Sequence, residues 1–224
     1  MRTVIYIDGY NLYYGRLKNT PFKWLNIHGL FSQLVREQVP EAEVVDCRFY
    51  TAMTLARVAS QGEKSAQAQQ VYHRALTSRY TPAVTLIAGT HQLESRPLMR
   101  AIAGERPNKA DRVNVWLLRE KQTDVRLSLD AYAAAIGGKV DQVVLVSNDT
   151  DLTPLLAALK ADCPTVCRGV IVPRDEICGR PASKSLADLS NWMRRYIRKE
   201  ELAKHQFRER VPTVKRPAVK PSYW

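Results

Sequence analysis

What the chain lacks narrows its class before any motif is considered. No apolar run among its 224 residues approaches the roughly 20 needed to span a bilayer, so no membrane partner is expected. The first apolar residues are cut short by Asp8, and no small-residue cleavage site follows. That argues against a signal peptide and for the cytoplasm. Cysteine is scarce: Cys47, Cys163, Cys167 and Cys178 are all there is, which suits a reducing compartment. Cys163 and Cys167 have three residues between them, and no second Cys or His pair completes a zinc set. Plain buried thiols are expected. His28, His73, His91 and His205 are scattered and fall in no motif. No internal repeat is visible. No Gly-x-Gly-x-x-Gly follows the first apolar stretch, so a dinucleotide-binding reading fails.

Positive charge is what the chain has in excess. There are 34 Lys and Arg against 22 Asp and Glu, a net +12. Residues 194–224 hold 10 basic and 3 acidic side chains and so carry +7 of that total. The closing "VPTVKRPAVKPSYW" has three prolines and little apolar periodicity, and reads as flexible. It could be a phosphate-binding arm with Tyr223 and Trp224 stacking on bases, or a solubilising tail.

Strand and helix patterns alternate along the rest. "TVIYID" (3–8), "EVVDCRFYTAM" (43–53), "AVTLIAG" (83–89), "QVVLVS" (142–147) and "TVCRGVIV" (165–172) read as strands. "VNVWLLREK" (113–121) starts extended and ends ambiguously. Residues 26–38, 63–76, 124–136 and 151–161 read as helices, and 183–205 as one or two terminal helices. In the 124–136 helix, Val125, Leu129, Tyr132 and Ile136 form one stripe. Such alternation predicts an α/β fold, a Rossmann-like parallel sheet with helices on both faces. Sheets of this kind bind ligands beyond the carboxyl ends of their strands.

The acids sit at those ends. Asp8 closes the first strand, Asp149 follows the strand ending near Ser147, Asp151 opens the next helix, and Asp124 opens the helix before. Convergent carboxylates repel unless a cation sits among them. Oxygen ligands without His or Cys select a hard ion, Mg²⁺ or Mn²⁺. Such an ion orients water and offsets charge on a phosphoryl oxygen, and the basic surface would hold the polyanion. Each acid alone reads better as a helix cap or turn residue, and only the four together at one predicted edge are hard to explain by capping. Asp130, about 120° round its helix from Asp124, reads as a surface or secondary contact. A phosphatase of the haloacid dehalogenase type would need Asp-x-Asp at the first strand, and here Tyr10 stands in the second place.

The segments "YIDGYNLYY" (6–14), "REKQTDVRLSLDAY" (119–132) and "VLVSNDTDLTPLL" (144–156) together resemble the NYN domain family, a branch of the PIN-like, LabA-like nucleases. The resemblance implies a nuclease domain over 1–195, followed by a basic extension over 196–224, helical then flexible. It also implies an endoribonuclease dependent on Mg²⁺ or Mn²⁺, whose catalytic and metal-binding acids fall on Asp8, Asp124, Asp149 and Asp151. Asn11 and Ser147 fall on substrate-binding positions, and Lys121 is added as a phosphate contact. RNA is the implied partner, with single-stranded DNA open and a homodimer one option. A non-catalytic RNA-binding module is the alternative. Asn148 stands where the family commonly has Gly, and Leu152 where it often has Phe. The segment 91–112, with Arg96, Arg100, Arg106, Lys109 and Arg112, reads as a substrate-facing insertion or a solvated loop.

Overall fold

The computed structural model describes residues 1–80, 84–177, 181–214 and 216–224. Ala83, where the sequence pattern starts the third strand, the Cys178 thiol and Lys215 lie outside the described residues. The first strand, β1 (Arg2–Asp8), is apolar from Val4 to Ile7 and is buried on both faces, as a central parallel strand must be. Its flanks are β2 (Glu43–Ala52) on one side and β5 (Gln142–Val146) on the other, both parallel to it. Beyond β2 lies β3 (Val84–Met99), and beyond β5 lie β6 (Cys167–Ile171) and β7 (Trp192–Arg194). With β4 (Arg112–Lys121) antiparallel at the edge, the sheet order among the described residues is β4-β3-β2-β1-β5-β6-β7. The chain leaves β1 toward one edge and returns to fill the other, so a crevice opens between the ends of β1 and β5.

Alternation along the strands divides the core in two. Ile5, Ile7, Val144 and Val146 face α2 (Ile27–Gln38) and α3 (Glu63–Tyr80) through Leu30, Phe31, Leu34 and Leu76. Val4, Tyr6, Val143 and Leu145 face α4 (Thr123–Ile136) and α5 (Thr153–Asp162) through Leu127, Ala131, Leu155 and Leu159. Leu152, in place of the family's frequent Phe, is fully buried in this second layer. Cys47 and Cys163 are buried thiols, as expected, and Cys167 is half-buried. No helix among the described residues is long and apolar enough to cross a membrane.

Four expectations are corrected. The apolar stripe of α4 mostly faces outward: Val125, Leu129 and Ile136 are 64%, 62% and 60% exposed, while Tyr132 packs partly buried against the second core layer. The small side chains Ala131, Ala134 and Ala135 face the sheet instead, because they let the helix approach it closely. Residues 91–112, read as a substrate-facing insertion or a solvated loop, are part strand and part loop: 91–99 belong to β3, 112 starts β4, and 100–111 between them form a largely exposed loop without strand or helix. Past Gly89, β3 leaves β2 and pairs only with β4, from Thr90 opposite Lys121 to Met99 opposite Arg112. At roughly 3.3 Å per residue this makes an arm about 30 Å long rising from the carboxyl edge of the sheet. Residues 183–205 are not purely helical: β7 lies between α6 (Lys184–Leu189) and α7 (Lys199–Lys204).

The tail beyond α7 does not extend freely. Its strands β8 (Arg210–Val211) and β9 (Ala218–Val219) pair, and Val211 and Ala218 are buried. Trp224 packs against Trp24 and Tyr72 at ring-centre distances of 6.2 and 5.8 Å. Trp224 is therefore committed to the core, not left free to stack on bases.

Candidate functional site

Asp8 ends β1, and its carboxylate turns back to cap α1 (Gly9–Leu12), with Oδ1 accepting from the Asn11 backbone N–H at 2.9 Å. Oδ2 accepts from the Ser147 hydroxyl at 2.9 Å, just past β5. Burial raises the pKa of this carboxyl, the Asn11 N–H and Ser147 hydroxyl oppose the rise, and Glu120 adds to it. The turn into α1 needs a glycine. A Cβ on Gly9 would lie 2.5 Å from the Tyr50 carbonyl oxygen.

From Asp8 a chain of bonds crosses the crevice. The Asp149 N–H donates to Ser147 Oγ at 3.0 Å, and the Asp151 N–H donates to Asp149 Oδ1 at 3.0 Å. Asn11 Oδ1 accepts from the Asn148 N–H at 3.3 Å, tying α1 to the loop after β5. The Asn148 side chain makes bonds that a glycine could not. Its Nδ2 donates to the Pro181 carbonyl at 3.1 Å, and its Oδ1 accepts from the Ser183 N–H at 2.8 Å. The departure from the family pattern thus fastens the loop to the segment before α6.

Asp124 arrives from the other side. Gln122 adopts a left-handed backbone with φ 77°, a conformation costing roughly 1 kcal/mol or more for a residue with a side chain. It turns β4 sharply into α4 and sets Asp124 at the second helical position. A carboxylate there should be favoured by the helix dipole, yet its pKa is raised to about 6. Burial is the largest cause, followed by the charges of Asp8, Asp149 and Asp151. The four acids therefore share one electrostatic neighbourhood. Capping explains Asp8 and Asp149, which do cap α1 and the 3-10 turn Thr150–Leu152. It does not explain Asp124, because Gln122 is the N-cap of α4 and gives no side-chain bond.

A fifth acid belongs to the group. Glu120 is raised by burial and by Asp124, against the Thr123 hydroxyl and His91, and it acts in turn on Asp8. It sits at the root of the arm, opposite His91. Glu120 was not legible in the sequence because it lies inside β4 rather than at the start of a helix, and only the antiparallel pairing with β3 sets it at this edge. Its position four residues before Asp124 was the available signal. Lys121 ends β4 half-buried beside Gly89, where a Cβ would lie 2.9 Å from the Lys121 carbonyl. Asp130 is a secondary contact, accepting from the Tyr50 hydroxyl at 2.7 Å.

Among the described residues, no three His, Cys, Asp or Glu side chains stand close enough to enclose an ion as they are. The donors are oxygens spread round an open crevice. That suits a Mg²⁺ or Mn²⁺ ion keeping several waters and taking one or two carboxylates, not a closed all-protein cage.

The chain matches the NYN domain over residues 2–169. It is 35% identical over 243 residues to a 6-hydroxy-3-succinoylpyridine 3-monooxygenase of Pseudomonas putida, spanning 100% of this chain and 75% of that protein. Among solved structures it is similar to a protein of unknown function from Vibrio parahaemolyticus. That match has 21% identity and a TM-score of 0.47, over 89% of this chain and 94% of the other. The NYN match runs from β1 into β6 and takes in every acid of the site, and this chain belongs to the NYN domain family.

Proposed function

We propose that this protein is an endoribonuclease that hydrolyses RNA phosphodiester bonds with Mg²⁺ or Mn²⁺ at Asp8, Asp124, Asp149 and Asp151. The observation that carries the reading is the chain of hydrogen bonds that joins Asp8, Asp149 and Asp151 through Ser147, beside an Asp124 carboxyl raised first by burial and then by the charges of those three acids. A chain of net charge +12 that gathers carboxylates at one sheet edge has a use for both signs: cations around it for a polyanion, acids within it for an ion. When bound, the ion would orient water and offset charge on the phosphoryl oxygen. Asp8 is held in one orientation by Asn11 and Ser147, and Asp149 fixes Asp151 through its backbone. Lys121, the last residue of β4 and three before Asp124, is proposed as a contact to a phosphate oxygen. Hydrolysis joins the water oxygen to phosphorus and breaks the bond to the leaving ribose oxygen, which takes up a proton.

A second reading rests on the relative named as a monooxygenase, 35% identical across the whole chain. It would make the substrate a hydroxypyridine carrying an acid side chain, with dioxygen and a reductant. One experiment separates the two. Purified protein is incubated with a mixed RNA pool in Mg²⁺, Mn²⁺ or EDTA, and separately with 6-hydroxy-3-succinoylpyridine, dioxygen and a reduced nicotinamide. Cleavage in either metal, absent in EDTA and in Asp149→Asn, is the expected result. Intact RNA in both metals, with oxygen uptake on the heterocycle, favours the second reading.

A further inference from the structure

Three tyrosines follow Asp8 within six residues, and none enters the core. Tyr10, Tyr13 and Tyr14 are 49%, 39% and 50% exposed. Their rings contact one another. The Tyr10 and Tyr14 centres lie 4.3 Å apart, Tyr13 meets Tyr14 edge-on at 5.1 Å, and Lys18 Nζ lies 4.8 Å from the Tyr14 ring. The backbone beneath is firmly held. Leu12, Arg16 and Leu17 are buried, and Arg16 donates from Nε to the Ile197 carbonyl at 2.8 Å and pairs with Asp175 at 3.2 Å. Residues Tyr13–Leu17 form a π-helical turn, a rare geometry that concentrates at functional sites. The result is an anchored segment that displays aromatic faces to solvent.

This cluster stands next to the acids. Tyr10 is in the short helix that Asp8 caps, one residue before Asn11, which bonds both Asp8 and the loop after β5. Burial and Tyr14 raise the Tyr10 phenol, and Glu120 contributes. At the far side the Tyr13 phenol is raised by burial, by Tyr14 and by Tyr223 of the tail. Exposed rings beside a basic side chain, within reach of a phosphodiester site, have the chemistry of a base-stacking platform.

We propose that Tyr10 and Tyr14, with Lys18 beside them, form a subsite that stacks an unpaired base of single-stranded RNA next to the phosphate at the acids. The inference rests on the nuclease reading and narrows its substrate. Paired bases in a duplex cannot leave their stack to lie on a side chain without unpairing, so the strand cut is single. Stacking tolerates every base, so sequence preference at this subsite is weak.

The test uses a labelled ten-nucleotide single strand. Binding is read by fluorescence anisotropy in EDTA, and cleavage of the same strand is read in Mg²⁺. Tyr10→Ala and Tyr14→Ala should each weaken binding by about tenfold, within the range alanine substitution gives for base stacking, and raise KM more than they lower kcat. Tyr10→Phe and Tyr14→Phe keep the ring and should bind as the wild type does. On the unaltered protein, an abasic strand of equal length should bind as weakly as the alanine variants bind the normal one. Equal affinity for abasic and normal strands, or alanine variants that bind like wild type, overturns the subsite. Binding that follows these expectations while no strand is cut supports the subsite and counts against hydrolysis alone. A wild-type protein that neither binds nor cuts the strand overturns both.

Discussion

A single proton on Asp124 links the site to stability. Its pKa in the folded, metal-free chain is about 6, above the ordinary carboxylate value, because burial and three neighbouring acids oppose its charge. The contribution of Asp124 to stability is therefore fully present below its unfolded pKa near 4 and is lost as pH rises through about 6. In EDTA, wild type should lose stability relative to Asp124→Asn between about pH 4 and 7. Denaturant melts at several pH values check this, and parallel curves for the two proteins would count against convergence. The residues most legible in the sequence were those at strand ends, since a parallel sheet sends all of them to one edge. Glu120 was not legible, because its place depends on a strand that runs the other way. Nor was the role of Asn148, whose side chain reaches a segment 33 to 35 residues further on.

At the scale of elements, β1, β2, β5 and α2 could be read from hydrophobic pattern alone, because each is buried in a way its apolar residues announce. The arm could not. Its strands carry mixed faces, with Trp116 70% exposed and Val113, Val115 and Leu117 half-buried, so alternation is blurred where no core lies beneath. The three-residue β7 was hidden for a related reason: its neighbours on both sides are helix formers, and only its pairing with β6 makes it a strand. Because the arm packs on little beyond itself, it should be separable from folding. Replacing Leu93–Leu118 with Asn-Gly would close the remaining strands through a two-residue turn between Gln92 and Arg119, which already pair. The melting temperature should fall by no more than about 3 °C, since a change of 1 kcal/mol moves a chain of this size by roughly 2–4 °C. RNA affinity should drop, because Arg96, Arg100, Arg106, Lys109 and Arg112 leave with the arm. A large loss of stability on thermal unfolding would show the arm to be part of the core.

For the whole molecule, the tail changes from an appendage to a strap. Its composition, basic and proline-rich, gave no sign of the aromatic packing that joins Trp224 to Trp24 and Tyr72 across the chain. Trp224→Ala should cost roughly 1–3 kcal/mol, less than the 3–5 of a fully buried Trp, with a matching fall in melting temperature. An unchanged melt would return the tail to the status of a free arm. Its exposed Arg208, Arg210 and Arg216 remain available to phosphate. Replacing them with Gln should flatten the salt dependence of RNA binding by roughly 0.7 for each phosphate no longer held.

The claim on which the rest depends is that the acids form one metal site in a PIN-like α/β fold. Matched thermal melts of wild type and Asp149→Asn, each in EDTA and in Mg²⁺, test it without knowledge of the substrate. Asn caps the turn after β5 about as well as Asp, so the substitution mainly removes charge. In EDTA the variant should be at least as stable as wild type, since one repelling carboxylate is gone. With about 10 mM Mg²⁺ and a Kd of about 1 mM, wild type should gain roughly 1.4 kcal/mol. That corresponds to a rise of about 3–6 °C in Tm for a chain of this size. The variant should gain much less. Equal shifts in the two proteins, or a variant clearly less stable than wild type in EDTA, would contradict a shared metal site and leave the acids as caps.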